Sequence, residues 1–418
     1  MKKLIYLFLI AFVFTACTPK EAPKYTLEYW GVYEPNENMT ELINEYQTAN
    51  PNITINYTRR GLKDYSAQLV ARAGKENGPD MFRFHNSWTP ALKPVLAVTP
   101  QSIVTQLDYT KTFYPVVQSD LKATSGYYGI PLMYDGLGLY YNKDIFKQGG
   151  LSKPPETWSD IVDTAIQLKT DTNEKLDVGG IAMGSTQNVD YWSDIFALLM
   201  LQQNASLSMP DSTVQETETA LKFYTDFINE HEVWSESMVG STDAFAQGKV
   251  AMIFGTSWTA FEIQAKNPQL QFAVAPIPQV PGPRVGLASY FAEGVASSID
   301  KNKQLEAWKF IAFLASKENQ QRLYSIQGKT RLFGEPYSRT DLASEIQDNE
   351  ILGGILATAP VAKSTYMSDK TFNEELNQQL INIYKRLFLQ GREGLDPEEA
   401  TPELQKIYTK YKISRKSP

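Results

Sequence analysis

The apolar positions of this chain switch between two periods, and the switches mark out its elements. Tyr25–Trp30 alternates with period two and predicts a strand, since successive strand side chains face opposite sides. After a loop at Gly31–Asn38, Met39–Ala49 takes up helical spacing, with Asn38 placed as its N-cap and Glu41 in its first turn. Asn50-Pro51 ends it, because the residue before a proline is pushed out of helical dihedrals. Ile53–Thr58 alternates again, Tyr65–Ala73 is helical and closed by Gly74, and Asp80–Phe84 is a short strand. Strand and helix in strict alternation at this spacing predict βαβ units and a mostly parallel sheet, so the fold class is α/β.

The stretch Tyr128–Phe146, YGIPLMYDGLGLYYNKDIF, breaks that rhythm. It reads as two extended pieces meeting at a polar, glycine-bearing junction around Asp135-Gly136. Beyond it Thr157 caps a helix running to about Lys169, with Asp160 three residues on as a shorter relative of the capping box. Val178–Met183, Val250–Phe254 and Phe272–Ile277 are expected strands. Helices are expected at Asp194–Leu201, Thr217–Asn229, Glu306–Ala315, Asn319–Ser325, Thr371–Leu389 and Thr401–Lys412. In Thr217–Asn229 the residues Ala220, Leu221, Tyr224, Phe227 and Ile228 share one face.

The N-terminus is of another kind. Met1-Lys2-Lys3 is basic and Leu4–Phe14 is an apolar run too short to span a bilayer permanently, which predicts an export signal at 1–16. Cys17, the only cysteine, follows it, and residues 17–24 with two prolines form a tether. No disulfide can then hold the fold together. A chain of 418 residues exceeds what one hydrophobic core usually serves, so two domains are expected. The net charge of −7, without a Lys/Arg cluster, argues against nucleic acid as a partner. The sequence carries no H-E-x-x-H, G-x-S-x-G, phosphate-binding glycine loop or C-x-x-C, and only His85 and His231 as histidines. Neither a metal site nor a cofactor is expected, although a pair of distant carboxylates of glycosidase type stays open at this point.

Several motifs, in order, carry a resemblance. They are Trp30-Gly31, Asn50–Ile55 and Gly78–Phe82, then Tyr128–Phe146 and Pro155–Asp160 (P-x-T-W-x-D), then Phe245–Met252 (F-x-x-G-K-V-A-M) followed by Trp258, and finally Ala275–Pro278 before Gly286–Ala296. This order resembles extracellular solute-binding protein family 1, the sugar-binding lipoproteins of ABC importers of the maltose and multiple-sugar type. Glu293 departs from it, standing where a small or apolar residue is usual. Phe14-Thr15-Ala16-Cys17 likewise resembles a lipoprotein box, which implies a lipid on Cys17.

The resemblance implies a two-lobed α/β periplasmic-binding-protein fold of type II topology, with a ligand cleft between lobes joined by crossings. It places the lobes at 25–138 plus 289–317 and at 139–288 plus 318–418. It further implies a monomer without catalytic residues, lipid-anchored on the periplasmic or cell-surface side, that captures a mono- or oligosaccharide and hands it to ABC permease subunits. Ligands of parallel sheets sit beyond the carboxyl ends of the strands, so Trp30, Tyr33 and Glu34 after the first strand and His85, Asn86 and Trp88 after the third become cleft candidates. Asp135, Trp192, Trp258, Tyr290 and Arg331 join them, since a sugar needs flat aromatic surface for its C–H face and fixed polar partners for its hydroxyls. A peptide, a polyamine or an iron complex as ligand, or a secreted carbohydrate-active hydrolase, are the alternatives.

Overall fold

The computed structural model describes residues 23–173, 175–368, 376–388 and 396–413. The signal at 1–16, Cys17 and most of the tether lie outside the described residues, as do Thr371 and its neighbours to 375 at the start of one expected helix.

The strands, in chain order, are β1 (Tyr25–Val32), β2 (Ile53–Arg60), β3 (Met81–His85), β4 (Ile130–Pro131), β5 (Gly138–Asn142), β6 (Thr170–Thr172), β7 (Lys175–Ile181), β8 (Val250–Gly255), β9 (Phe272–Ala275), β10 (Gly286–Leu287), β11 (Phe291–Val295) and β12 (Ala362–Lys363). They build two five-stranded sheets, ordered β2-β1-β3-β11-β4 and β6-β7-β8-β5-β9, and one small β10-β12 pair. In the first sheet β1 runs parallel to β2 and β3, as the opening alternation predicts. β11 returns from the far side of the chain and inserts antiparallel between β3 and β4. The molecule is therefore a mixed α/β structure with two sheets, each the centre of a lobe.

The stretch Tyr128–Phe146 passes from one sheet to the other. Its two extended pieces are β4 in the first lobe and β5 in the second, with residues 132–137 as the passage between them. A second passage, residues 286–290, runs beside it: Ser289 donates its backbone N–H to the Asp135 carbonyl at 3.0 Å, and Leu137 donates to the Leu287 carbonyl at 3.0 Å. Gly136 approaches Leu287 so closely that a Cβ there would sit 2.5 Å from the Leu287 carbonyl oxygen, which explains a glycine at that point.

Two local expectations are corrected. The first helix begins at Asn36, not Met39, and Pro35 rather than Asn38 stands at its cap without a side-chain hydrogen bond. Asn38 lies inside the first turn and turns its amide onto Glu34 instead. The third passage also comes later than the expected boundary at 317/318. Helix Lys317–Gly328 packs on the first lobe, where Arg322 pairs with Glu41 at 2.8 Å and Glu45 at 2.7 Å and Gln320 donates to the Leu132 carbonyl. Thr340 still bonds first-lobe carbonyls, whereas the Glu350 carbonyl already accepts from Val274 of β9, so the chain changes lobe between them. Propensity cannot assign a helix to a lobe; its contacts with distant segments do.

The helix after Thr157 is Trp158–Leu168 and carries the full capping box, with Thr157 and Asp160 bonding each other's backbone. Helix Trp192–Gln202 is buried along its whole length, which makes it the central helix of the second lobe.

Candidate functional site

Between the lobes, beside the two passages, lies a cavity of about 230 Å³. Tyr33 and His85 line it from the first lobe and Met133, Asp135, Ser289 and Phe291 from the passages and their ends. Tyr191, Thr256, Trp258, Phe261, Glu262 and Ser368 close it from the second-lobe side. A larger depression of about 840 Å³ lies on the outer face of helix Val214–Asn229, against Leu387 and Phe388, away from every passage.

One helix face supplies three residues of the cavity's second-lobe wall. Ser257–Lys266 opens directly after β8, and Trp258, Phe261 and Glu262 fall at spacings of three and four, hence on the same side. The Trp258 ring is half-buried and meets partners from both lobes: Tyr33 at 4.8 Å between centroids and 30° between planes, Phe261 at 5.2 Å, and the Arg331 guanidinium at 5.3 Å from its centroid.

Tyr33 reaches Trp258 from a strained turn. Its φ is +65°, and the N–H of Glu34 donates to the Val32 carbonyl at 2.7 Å, which makes a γ-turn of the rare positive-φ kind centred on a bulky residue. Such a conformation costs roughly 1–3 kcal/mol and persists only where the surroundings over-determine it. Here they do. The buried Glu34 carboxylate accepts from Gln327 at 2.8 Å and Arg331 at 3.3 Å and bonds Asn38, while Tyr57 donates to the Glu34 carbonyl at 2.9 Å.

Glu34 belongs to a buried charge cluster. Arg83 bridges Glu293 and Glu335, each at 2.7 Å, and Glu335 takes its own backbone bond to Gln327. The unusual Glu293 thus has a physical reason: it neutralises an arginine buried in the middle of β3. Burial, and then the neighbouring Glu335, push the Glu34 carboxyl above its usual range. Burial opposes the charge of Glu335 as well, but Arg83 and Arg331 outweigh it and hold that carboxyl low.

At the inner end sits Asp135. Its carboxylate accepts from the backbone N–H of Ser257 at 2.9 Å, the Ser257 hydroxyl at 2.6 Å and the N–H of Gly136 at 2.8 Å. A residue of the first passage therefore caps the N-terminus of the second lobe's platform helix, where the helix dipole favours an anion. Burial raises its carboxyl to about 7 in spite of these donors. His85 is neutral, held down to about 3 by burial. Its Nδ1 lies 2.8 Å from the Ser87 hydroxyl and 3.3 Å from the Ser87 backbone nitrogen, and its Nε2 lies 3.0 Å from the Ser289 hydroxyl, which lines the cavity.

Of the sequence candidates, Tyr33, His85, Asp135 and Trp258 come together at the cavity. Glu34 and Arg331 stand behind it, fixing Tyr33 and Trp258. Five others are corrected, because they are packed within the structure and do not line it. Trp30 is buried beneath the Arg60 guanidinium, with Tyr65 donating to its carbonyl. Trp88 is fully buried among Tyr65, His85 and Phe291. Trp192 opens the buried helix and packs on Phe388. Tyr290 is buried too, its hydroxyl donating to Asp120 at 3.0 Å. Asn86 joins it there, donating to Asp120 and accepting from the Tyr290 N–H. The reason is general: a large aromatic beside a loop stabilises that loop by burying its own surface. Ser289, Phe291, Tyr191 and Glu262 were missed as individual residues. Helical spacing from Trp258 would have found Glu262; nothing local marks Tyr191.

Comparison with known proteins now bears on this geometry. Residues 41–330 match the family described as bacterial extracellular solute-binding protein. The chain belongs to that family. The multiple sugar-binding protein of Streptococcus mutans is 25% identical over 346 residues, 77% of this chain and 79% of the relative. The sn-glycerol-3-phosphate-binding periplasmic protein UgpB of Escherichia coli K12 is 26% identical over 324 residues, 70% of this chain and 71% of its own. An ABC transporter solute-binding protein of Thermotoga lettingae, crystallised with alpha-D-tagatose, shares the two-lobed fold with a TM-score of 0.70 at 23% identity, covering 92% of this chain and 99% of its own. Among the described residues no helix is long and apolar enough to cross a membrane, and no group of three or more His, Cys, Asp or Glu is placed to hold a metal ion.

Proposed function

We propose that this chain is the extracytoplasmic receptor of an ABC importer, capturing a saccharide between its lobes and presenting it to the membrane permease, with a lipid on Cys17 as its anchor. The observation that carries the reading is the cavity wall itself. The Trp258, Phe261 and Phe291 rings line the same space as the Ser289 hydroxyl and the buried Asp135 carboxyl, apolar and polar surfaces that a pyranose presents in complementary form. Cleft residues come from both lobes and both passages, so closure about the passages would enclose a ligand completely. The names of the relatives, a sugar-binding and a glycerol-phosphate-binding protein among them, agree with capture of small polyols. The chain binds and releases; no step of bond cleavage is assigned to it.

The test is a thermal-shift screen of the full chain against mono- and oligosaccharides, short peptides, polyamines and Fe(III). A ligand at a hundredfold its Kd stabilises by about 2.7 kcal/mol, enough to move the transition. A saccharide should give that shift and be recovered unaltered by chromatography. A shift with peptide, polyamine or iron alone overturns the assignment, and cleavage of the saccharide replaces it with a hydrolase.

A further inference from the structure

We infer that the cleft takes a single uncharged sugar ring and that Tyr33 sets this limit, an inference that rests on the saccharide reading above. The cavity of about 230 Å³ lies below the ~300–1,000 Å³ of pockets that hold drug-sized molecules. One ring with its hydroxyls fits that space; a second ring must leave through the mouth.

The mouth is marked by the two exposed lining residues, Tyr33, at 38% exposure, and Glu262. There the Tyr33 ring already lies against Trp258, with centroids 4.8 Å apart, so the platform's outer edge is covered by a side chain of the opposite lobe. Tyr33 also meets Phe291 edge-on at 5.8 Å, which fixes it from the inner side. A flexible loop residue would yield to a longer ligand, but Tyr33 is not one. Its positive-φ turn is held by the Glu34 carboxylate, itself bonded to Gln327 and Arg331, so the backbone stays in place, and rotating the ring outward about its side-chain bonds gives up its contacts with Trp258 and Phe291. Glu262 lines the same mouth together with Tyr33 and sets a carboxylate where an anionic ligand would enter.

Calorimetric titration of the full chain tests this with glucose, mannose, galactose, fructose and tagatose, with the β-1,4- and α-1,4-linked di- and trisaccharides of glucose and mannose, and with sn-glycerol 3-phosphate. The variant is Tyr33→Gly, since glycine adopts the positive φ without strain and the fold should be retained. Native chain should bind a monosaccharide at least thirtyfold more tightly than any oligosaccharide and than glycerol phosphate. In Tyr33→Gly the monosaccharide-to-oligosaccharide ratio should fall to threefold or less, and Tyr33→Phe, which keeps the ring, should show the native ratio. An oligosaccharide or glycerol phosphate bound by the native chain as tightly as any monosaccharide overturns the single-ring limit while leaving solute capture intact. A native ratio in Tyr33→Gly overturns the role of Tyr33. Absence of binding to every saccharide instead overturns the saccharide reading, and this inference with it.

Discussion

Replacing Trp258 with alanine separates a cleft platform from a core residue, because its three ring partners divide between the lobes. Tyr33 and Arg331 belong to the first-lobe side, at 4.8 Å and 5.3 Å, while Phe261 lies on its own helix. An aromatic pair contributes about 0.5–1.5 kcal/mol beyond burial, and a cation over a ring at an exposed site about 0.5–1 kcal/mol. The cross-lobe share is therefore roughly 1–2.5 kcal/mol and stabilises closure, shifting the open-to-closed ratio about fivefold to seventyfold when removed. Within the second lobe the Phe261 contact adds roughly 0.5–1.5 kcal/mol to the burial of a half-exposed ring, so the loss there stays below the cost of deleting a fully buried tryptophan, about 3–5 kcal/mol. The ligand-free variant should thus melt close to the native chain yet scatter X-rays as a more open particle. Loss of the stacking surface should weaken saccharide binding by about 2 kcal/mol or more, roughly thirtyfold. A fall of 3 kcal/mol or more in unfolding free energy would place Trp258 in the core, and unchanged affinity in a folded variant would remove it from the site.

Two further outcomes are expected. Asp135 should make stability depend on pH: burial raises its carboxyl from 3.8 to about 7, so between these values the folded chain holds a proton that the unfolded chain releases. Its stabilising contribution is complete below about pH 4 and is lost as pH rises through 7, by at most roughly 4 kcal/mol at about 1.4 kcal/mol per tenfold change in proton affinity. Asp135→Asn cannot titrate, so native and variant melting temperatures should converge or cross between pH 4.5 and 8 in scanning calorimetry; parallel curves refute the argument. For the anchor, Cys17→Ala should release the folded chain into a soluble extract and remove lipid mass from its N-terminal peptide, and retention in the membrane fraction without such mass in the native chain would refute it.

What the sequence determined by itself was whatever depends on neighbours in the chain. Alternation fixed the parallel βαβ start, because strand and helix periods are local properties of Tyr25–Phe84. Thr157 and Asp160 announced their capping box for the same reason. The proline and glycines of Tyr128–Phe146 disclosed a break between two extended pieces.

Only the tertiary structure decided which residues share a space. Trp30 and Trp258 both lie near the end of a strand, yet one is sealed under Arg60 and the other faces the opposite lobe. Burial is a sum over contacts from distant segments, and no local spacing encodes it. The same holds for helix Lys317–Gly328, whose Arg322 meets Glu41 and Glu45 of the first lobe and whose Gln320 bonds the Leu132 carbonyl. It holds for Glu293, whose meaning appears only when β11 inserts beside β3 and brings it onto Arg83. And it holds for Asp135, which sequence marks as a turn residue and the fold makes the cap of a helix 122 positions away, so that the passage between the lobes and the wall of the cleft are joined by one carboxylate.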